Sequence, residues 1–165
     1  VLAAAGGRAL ARVDLHVTLC FLGAVAEPEL AALRERAAGI DAAAFELSFE
    51  RLELWREARI LAATVERVPS AAAGLAGALA VAAAEVGLAL ERRPWRPHIT
   101  LARGVTPPAA ATAVAASADA ASRWLPLTLS AGRFYLAESQ GVGAQACGNA
   151  APPRYATLGS WPLRA

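Results

Sequence analysis

His16-Val17-Thr18-Leu19 and His98-Ile99-Thr100-Leu101 carry one string, His-apolar-Thr-Leu, about 80 residues apart, and between them they hold both histidines of the chain. Polar and apolar side chains alternate in each copy. On an extended strand successive side chains point to opposite faces. Val17 and Leu19 therefore turn into a core while His16 and Thr18 share the other face. Ile99 and Leu101 repeat the arrangement against His98 and Thr100. Two such strands require a sheet with one dry face and one open face. They also set two imidazoles and two hydroxyls where they can converge across a cleft.

The rest of the chain limits the surroundings of that pair. A length of 165 residues suits one domain with a substantial core, and 56% hydrophobic residues exclude general disorder. The formal charge of +2 is mild, so a short or single-stranded substrate held locally fits better than a long duplex. Cys20 and Cys147 make neither a disulfide framework nor a metal-ligand spacing, which points to a reducing, cytoplasmic location. The apolar run Ser70–Val86 is alanine-rich, contains Glu85 and falls short of the roughly 20 strongly apolar residues of a membrane span. It reads as a buried helix. No secretory leader is visible. The start at Val1 and the lack of methionine lead us to expect that the natural N-terminus lies upstream.

Val1–Ala5 reads as the end of a helix closed by Gly6 and Gly7. The first motif predicts a strand over Leu15–Leu22, stopping at Gly23. Pro28 opens a helix to about Ala38. Phe45–Leu54 alternates, with Phe45, Leu47 and Phe49 on one face, and predicts a half-buried strand. Ile60–Glu66 predicts another. Pro69 and Ser70 lead into the alanine-rich helix. Pro94-Trp95-Arg96-Pro97 is a rigid extended lead into the second motif strand, His98–Arg103. Pro107–Ser122 is weakly helical, Gln140–Pro153 is a Gly/Ala/Pro loop, and Leu125–Ser130, Arg133–Glu138 and Tyr155–Trp161 are strands. This order predicts an α+β fold of mostly antiparallel sheet with helices outside. We expect a single domain over residues 1–165, with two pseudo-symmetric lobes and a cleft between them.

Neutral imidazole accepts a proton and imidazolium donates one, both near pH 7. Displacement at phosphorus needs both acts, so two histidines flanking a phosphate supply it without a metal or other cofactor. The Thr18 and Thr100 hydroxyls can donate to non-bridging oxygens, and Arg103 can answer the growing charge. Phe21 and Arg103 each lie five positions beyond their histidine. That odd offset sends them to the wrong face of a flat strand. They reach the cleft only where the strand twists, bulges or ends, and Gly23 and Gly104 lie just beyond.

Leu15-His16-Val17-Thr18-Leu19-Cys20-Phe21-Leu22-Gly23 and Arg96-Pro97-His98-Ile99-Thr100-Leu101-Ala102-Arg103 together resemble the paired motifs of the 2H phosphoesterase superfamily. They are most similar to its bacterial RNA 2′,3′-cyclic phosphodiesterases, historically called 2′-5′ RNA ligases. Arg59-Ile60-Leu61 after Trp55 and the closing Trp161-Pro162-Leu163 fit the same resemblance. It implies two α+β lobes around a cleft, catalytic His16 and His98, phosphate-binding Thr18 and Thr100, and nucleotide or phosphate contact by Phe21 and Arg103. The implied reaction is metal-independent hydrolysis of a 2′,3′-cyclic phosphate on RNA or a nucleotide to a 2′-phosphomonoester, with O3′ leaving. The implied partners are such RNA ends or nucleotides, with no membrane and no obligate protein partner. We read His98 as the base toward water and His16 as the acid toward O3′, a division the sequence leaves open. The family begins with an apolar strand and a long helix ahead of the position of Val1. The chain is expected to lack that strand and most of that helix, leaving a sheet edge open.

Other readings compete. Arg92, Arg93 and Arg96 around Trp95 either hold single-stranded RNA by charge and stacking or form a solvated turn with its tryptophan in the core. Trp55 is most simply a packing residue, and Cys20 a small residue of core or cleft wall. A sister enzyme acting on small cyclic nucleotides or 2′-5′ linkages, including reversible ligation, would share the motifs. An RNA-binding module without turnover would be expected to lose a histidine. Two histidines without a carboxylate cluster make a poor metal hydrolase.

Overall fold

The two motifs, alike in sequence, differ in backbone. In the computed structural model, which describes residues 7–91, 93–106, 125–140 and 154–165, His98–Arg103 is a strand inside a four-stranded sheet. The expected strand Leu15–Leu22 is instead irregular backbone, tied to that sheet by one antiparallel bridge between Val17 and Ile99. The described elements are β1 (Arg8–Ala9), α1 (Glu27–Ala38), β2 (Phe45–Phe49), β3 (Arg51–Trp55), β4 (Ile60–Thr64), α2 (Ser70–Glu85), β5 (His98–Arg103), β6 (Leu127–Ala131), β7 (Arg133–Ser139) and β8 (Tyr155–Pro162). The main sheet has the order β1-β5-β4-β3, and β2-β6 and β7-β8 form two further pairs. Among the described residues every pair of named strands is antiparallel, with one isolated parallel bridge between Ala43 and Arg164, so the expected α+β class holds.

The irregularity of the first motif has a local cause. β1 takes the far half of β5's edge, pairing Arg8 with Arg103 and Ala9 with Ala102, and the Leu10 N–H donates to the Leu101 carbonyl at 2.9 Å. The chain then leaves the edge in a 3-10 turn at Arg12–Asp14 and returns only at Val17. Packing holds what the ladder does not. Val17 joins the core around Phe49, Ala63 and Ile99. Leu19 packs with Ala37, Leu75 and Phe134, and Cys20 and Leu22 pack with Leu33 and Ala83.

The expected single strand Phe45–Leu54 is two strands in two different sheets, broken at Glu50. The Glu50 N–H donates to the Thr64 carbonyl at 3.1 Å, and its carboxylate accepts the Glu66 N–H at 2.9 Å. Both helices fall where expected. Pro28 and two glutamates occupy the first turn of α1 and Arg36 its last, matching the helix dipole. The buried alanines of α2 let neighbouring elements approach closely. Among the described residues no helix is long and apolar enough to cross a membrane. The expected helix end at Val1–Ala5, the helix at Pro107–Ser122 and most of the Gln140–Pro153 loop lie outside the described residues.

Candidate active site

The bridge between Val17 and Ile99 sets the register of the two motifs. In an antiparallel pair, residues one step to either side of a bridged pair oppose each other in crossed order. His16 therefore faces Thr100 and Thr18 faces His98, so each histidine stands beside the other motif's threonine. Val17 and Ile99 share the core face, which leaves all four polar side chains on the opposite face. Thr18 and His98 line one cleft of about 390 Å³. Thr100 is buried, at 7% exposure, while Thr18 is exposed.

Each imidazole is oriented in the same way. His16 Nδ1 lies 2.7 Å from the carbonyl of Asp14, and His98 Nδ1 lies 2.9 Å from the carbonyl of Arg96. In both cases the acceptor is the backbone two residues back. A carbonyl can only accept, so Nδ1 carries a hydrogen in both rings. Nε2 is then the nitrogen left for proton exchange. An aromatic ring braces each imidazole: Tyr155 meets His16 edge-on and Trp55 meets His98 at a tilt, both with centroids 4.5 Å apart. The Trp95 indole N–H donates to the Thr18 carbonyl at 2.8 Å and so ties the lead-in of one motif to the backbone of the other.

The odd offset of Arg103 is resolved by a bulge. Along β4 and β5, Thr64 opposes His98, Ala63 opposes Ile99 and Ala62 opposes Thr100. The next pair is Leu61 with Ala102, followed by Ile60 with Arg103. Leu101 is the extra residue. One inserted residue resets the alternation, and Arg103 rejoins the face of His98 and Thr100. The turn after it is made by Gly104 at φ +69°, as Gly23 at φ +71° ends the first motif; both lie in the region glycine favours. Phe21, 69% exposed, lines the cleft with Trp55, Trp95 and His98. All six residues singled out from the sequence are thus described, with Phe21, Thr18 and His98 on the cleft wall and Arg103 carried to the site face by the bulge.

Sequence reasoning missed two carboxylates and misread one tryptophan. Trp55, expected to be simple packing, packs at a tilt against a motif histidine. Glu53, on the site face of β3, accepts the Trp55 indole N–H at 2.9 Å and the Thr64 hydroxyl at 3.0 Å, and pairs with Arg96. Burial opposes ionisation of Glu53, but these two hydrogen bonds and the Arg96 cation outweigh it and hold the carboxyl below its ordinary range. The Arg96 guanidinium also lies over Trp55, 5.0 Å from its ring centre. Asp14, 5% exposed, accepts the Arg154 N–H at 2.8 Å and so joins the His16 turn to the start of β8. A glutamate between Leu52 and Leu54, at a polar position of a strand that follows Phe49, was the available signal for Glu53. Arg93 pairs with Glu91 at 2.7 Å, and Arg92 lies outside the described residues.

Burial draws the His98 imidazole below the ordinary histidine range. The hydrogen bond to the Arg96 carbonyl opposes this, while positive charge on His16, Arg93 and Arg96 adds to it. That His16 acts on His98 at all follows from their adjacency across the bridge. Burial raises the Cys20 thiol above its ordinary value, which suits a residue packed on the core beside Leu33 and Ala83 and not a nucleophile. Among the described residues no three His, Cys, Asp or Glu side chains gather as metal ligands.

The pattern of the 2′-5′ RNA ligase superfamily matches residues 2–143. The RNA 2′,3′-cyclic phosphodiesterase of Escherichia coli K12 is 35% identical over 97 residues, which are 59% of this chain and 55% of that protein. The match therefore spans about half the length of that relative. A crystal structure described as a phosphoesterase superposes with a TM-score of 0.76 at 28% identity, covering 99% of this chain and 84% of the other. Escherichia coli LigT complexed with 3′-AMP superposes at 0.72 and 28% identity, covering 96% and 82%. The same protein complexed with phosphate gives 0.70 and 26%, covering 99% and 82%.

Proposed function

The chain belongs to the 2′-5′ RNA ligase superfamily, and from that premise we propose that it hydrolyses 2′,3′-cyclic phosphates on RNA ends or nucleotides, giving 2′-phosphomonoesters without a metal. One observation carries the reading. The bridge between Val17 and Ile99 sets the two motifs side by side, with both Nδ1 atoms committed to backbone carbonyls and both Nε2 atoms left for substrate. An RNA 2′,3′-cyclic phosphodiesterase among the relatives, and LigT complexed with 3′-AMP and with phosphate, support it.

In this mechanism His98, whose neutral form is favoured by burial, takes a proton from water through Nε2. The water oxygen forms a bond to phosphorus as the P–O3′ bond breaks. His16 delivers a proton from Nε2 to O3′. Thr18 and Thr100 donate to the non-bridging oxygens, and Arg103 answers their charge. Phe21 offers an apolar face to the base or ribose. After turnover the two histidines have exchanged protonation states, and solvent resets them. The same displacement with a 5′-hydroxyl in place of water is 2′-5′ ligation, and its reversal, with O3′ attacking and O5′ leaving, cleaves a 2′-5′ linkage back to the cyclic phosphate. The residues of the site face suit an RNA end. The test is incubation of the protein with a 2′,3′-cyclic-phosphate-ended oligonucleotide in chelator, followed by identification of the product isomer. A 2′-phosphate is expected. A 3′-phosphate, or activity that requires added metal, overturns the mechanism.

A further inference from the structure

The pairing of β1 with β5 places Arg8 directly opposite Arg103, with Ile60 and Trp55 completing the same row across the sheet. Directly opposed residues of an antiparallel pair point to one face. That face is the one the Leu101 bulge gives to Arg103, so Arg8 shares it with His98 and Thr100. Like charges in this position repel and cost stability. Both arginines are exposed, and among the described residues neither has a carboxylate within ion-pair distance. Arg96 and Arg93, by contrast, are each neutralised by a glutamate. The unfavourable pairing is also built with care. A Cβ on Gly7 would stand 2.6 Å from Val105 Cγ1 and 2.9 Å from the Arg103 carbonyl oxygen. Only glycine lets the chain pass close enough to β5 to set Arg8 against Arg103.

We infer that Arg8 and Arg103 form a two-guanidinium subsite for the phosphodiester that precedes the terminal cyclic phosphate, so that the preferred substrate is an RNA end and not a mononucleotide. The inference rests on the proposed hydrolysis for the position of the terminal phosphate. Arg8 stands on the edge of β5 that also carries the Val17 bridge, about 4.8 Å laterally from Arg103. The Arg8 fork suits a bidentate contact to that phosphodiester, and Arg103, with five N–H donors, can bridge it to the terminal phosphate that it already answers. The subsite is separate from the groups that move protons.

The test compares a dinucleotide ending in a 2′-phosphate with the corresponding nucleoside 2′-phosphate. Calorimetric titration of both into wild type and Arg8→Gln reads the subsite without turnover. Wild type should prefer the dinucleotide, and Arg8→Gln should reduce that preference about tenfold, the size of a lost charged hydrogen bond. Its slope of log affinity against log salt for the dinucleotide should be shallower by about 0.7. Its thermal midpoint should hold or rise, because a repulsion is removed; a merely structural role would lower it. An unchanged preference in Arg8→Gln overturns the proposal. Equal preference for both ligands in wild type does so too. Because binding is measured apart from cleavage, a protein that discriminates but does not hydrolyse would refute the proposed function and keep the subsite.

Discussion

His98 stands on β5, inside a hydrogen-bonded sheet, with β4 on one side and β1 on the other. His16 stands on irregular backbone next to a single bridge. Around His98 are Arg93, Arg96 and the ring of Trp55. Around His16 are the ring of Tyr155 and the turn that carries the buried Asp14 carboxylate. Yet both rings are aimed by the same contact, Nδ1 to the carbonyl two residues back. The orientation of each imidazole is thus a local property of the motif, independent of how regular the strand is. What the scaffolds change is the electrostatic setting. One histidine is pushed toward its neutral form, first by burial and then by nearby positive charge. The other lies two residues from a buried carboxylate. Two equivalent strings thereby acquire unequal surroundings, which is what a base and an acid need.

The largest test of that inequality is removal of each ring. His16→Ala and His98→Ala should each lower kcat by about 10²–10⁴-fold, measured in single turnover on a cyclic-phosphate-ended oligonucleotide. A substrate with sulfur in place of O3′ separates the two roles. A thiolate leaves with little need of a proton, its conjugate acid having a pKa of about 8.5. It should restore most of the loss in His16→Ala and little in His98→Ala. The opposite pattern would exchange the roles of the two half-sites.

A pH profile examines the same asymmetry with less perturbation. The base must be neutral, and burial lowers the His98 pKa, so activity should be lost only as pH falls through that lowered value. The acid limb of kcat/KM should therefore lie below about 6.5. Chelator should leave the profile in place. An NMR titration of the His98 ring that gave a value above the ordinary one would remove the argument for His98 as base.

Most of the site was legible because the motif residues state their own periodicity. Val17, Leu19, Ile99 and Leu101 declare a core side, and His and Thr the other. What was not legible depends on partners distant in sequence. The bulge at Leu101 exists only in register with Leu61 and Ala62, so nothing within His98–Arg103 reveals it. The break of Phe45–Leu54 did leave a mark. Apolar residues fall at odd positions through Phe49 and at even positions from Leu52, and that change of parity is the change of sheet. The irregularity at Leu15–Leu22 left none, since it arises from β1 occupying the edge that the motif would extend along. Glu53 looks like an ordinary polar strand residue until β4 and the Trp95-Arg96 lead-in are packed against it.

The threonines differ in depth and should differ in consequence. Thr18→Ala, at an exposed position, should lower kcat/KM by about tenfold, the loss of one hydrogen bond to a charged group, with no change in thermal midpoint. Thr100→Ala should show a similar kinetic loss and also melt a few degrees lower, because a buried methyl is deleted from a packed sheet. Paired assays and melting curves check this. Equal melting points would show that the Thr100 half is no more embedded than the Thr18 half.

The smallest expected effect lies one contact further out. Among the described residues Glu53 makes no hydrogen bond to His16, Thr18, His98 or Thr100, but it holds Trp55, whose ring lies at a tilt against His98, and it neutralises Arg96, whose carbonyl orients His98. In Glu53→Gln the amide oxygen still accepts one of the hydrogen bonds, while the compensating charge is gone. Arg96 then acts on His98 unopposed, and an unopposed cation disfavours imidazolium. The acid limb of kcat/KM should move to lower pH by a few tenths of a unit at most, as for one solvent-screened charge, with KM nearly constant. Glu53→Gln should be less stable than wild type above the unfolded glutamate pKa of about 4.3 and equal to it well below the depressed folded value, because wild type loses this contribution as pH falls through its folded pKa. A shift of the limb to higher pH would mean that Glu53 acts on His98 by position alone. In that case the cationic surroundings that set the two half-sites apart would not be what tunes the base.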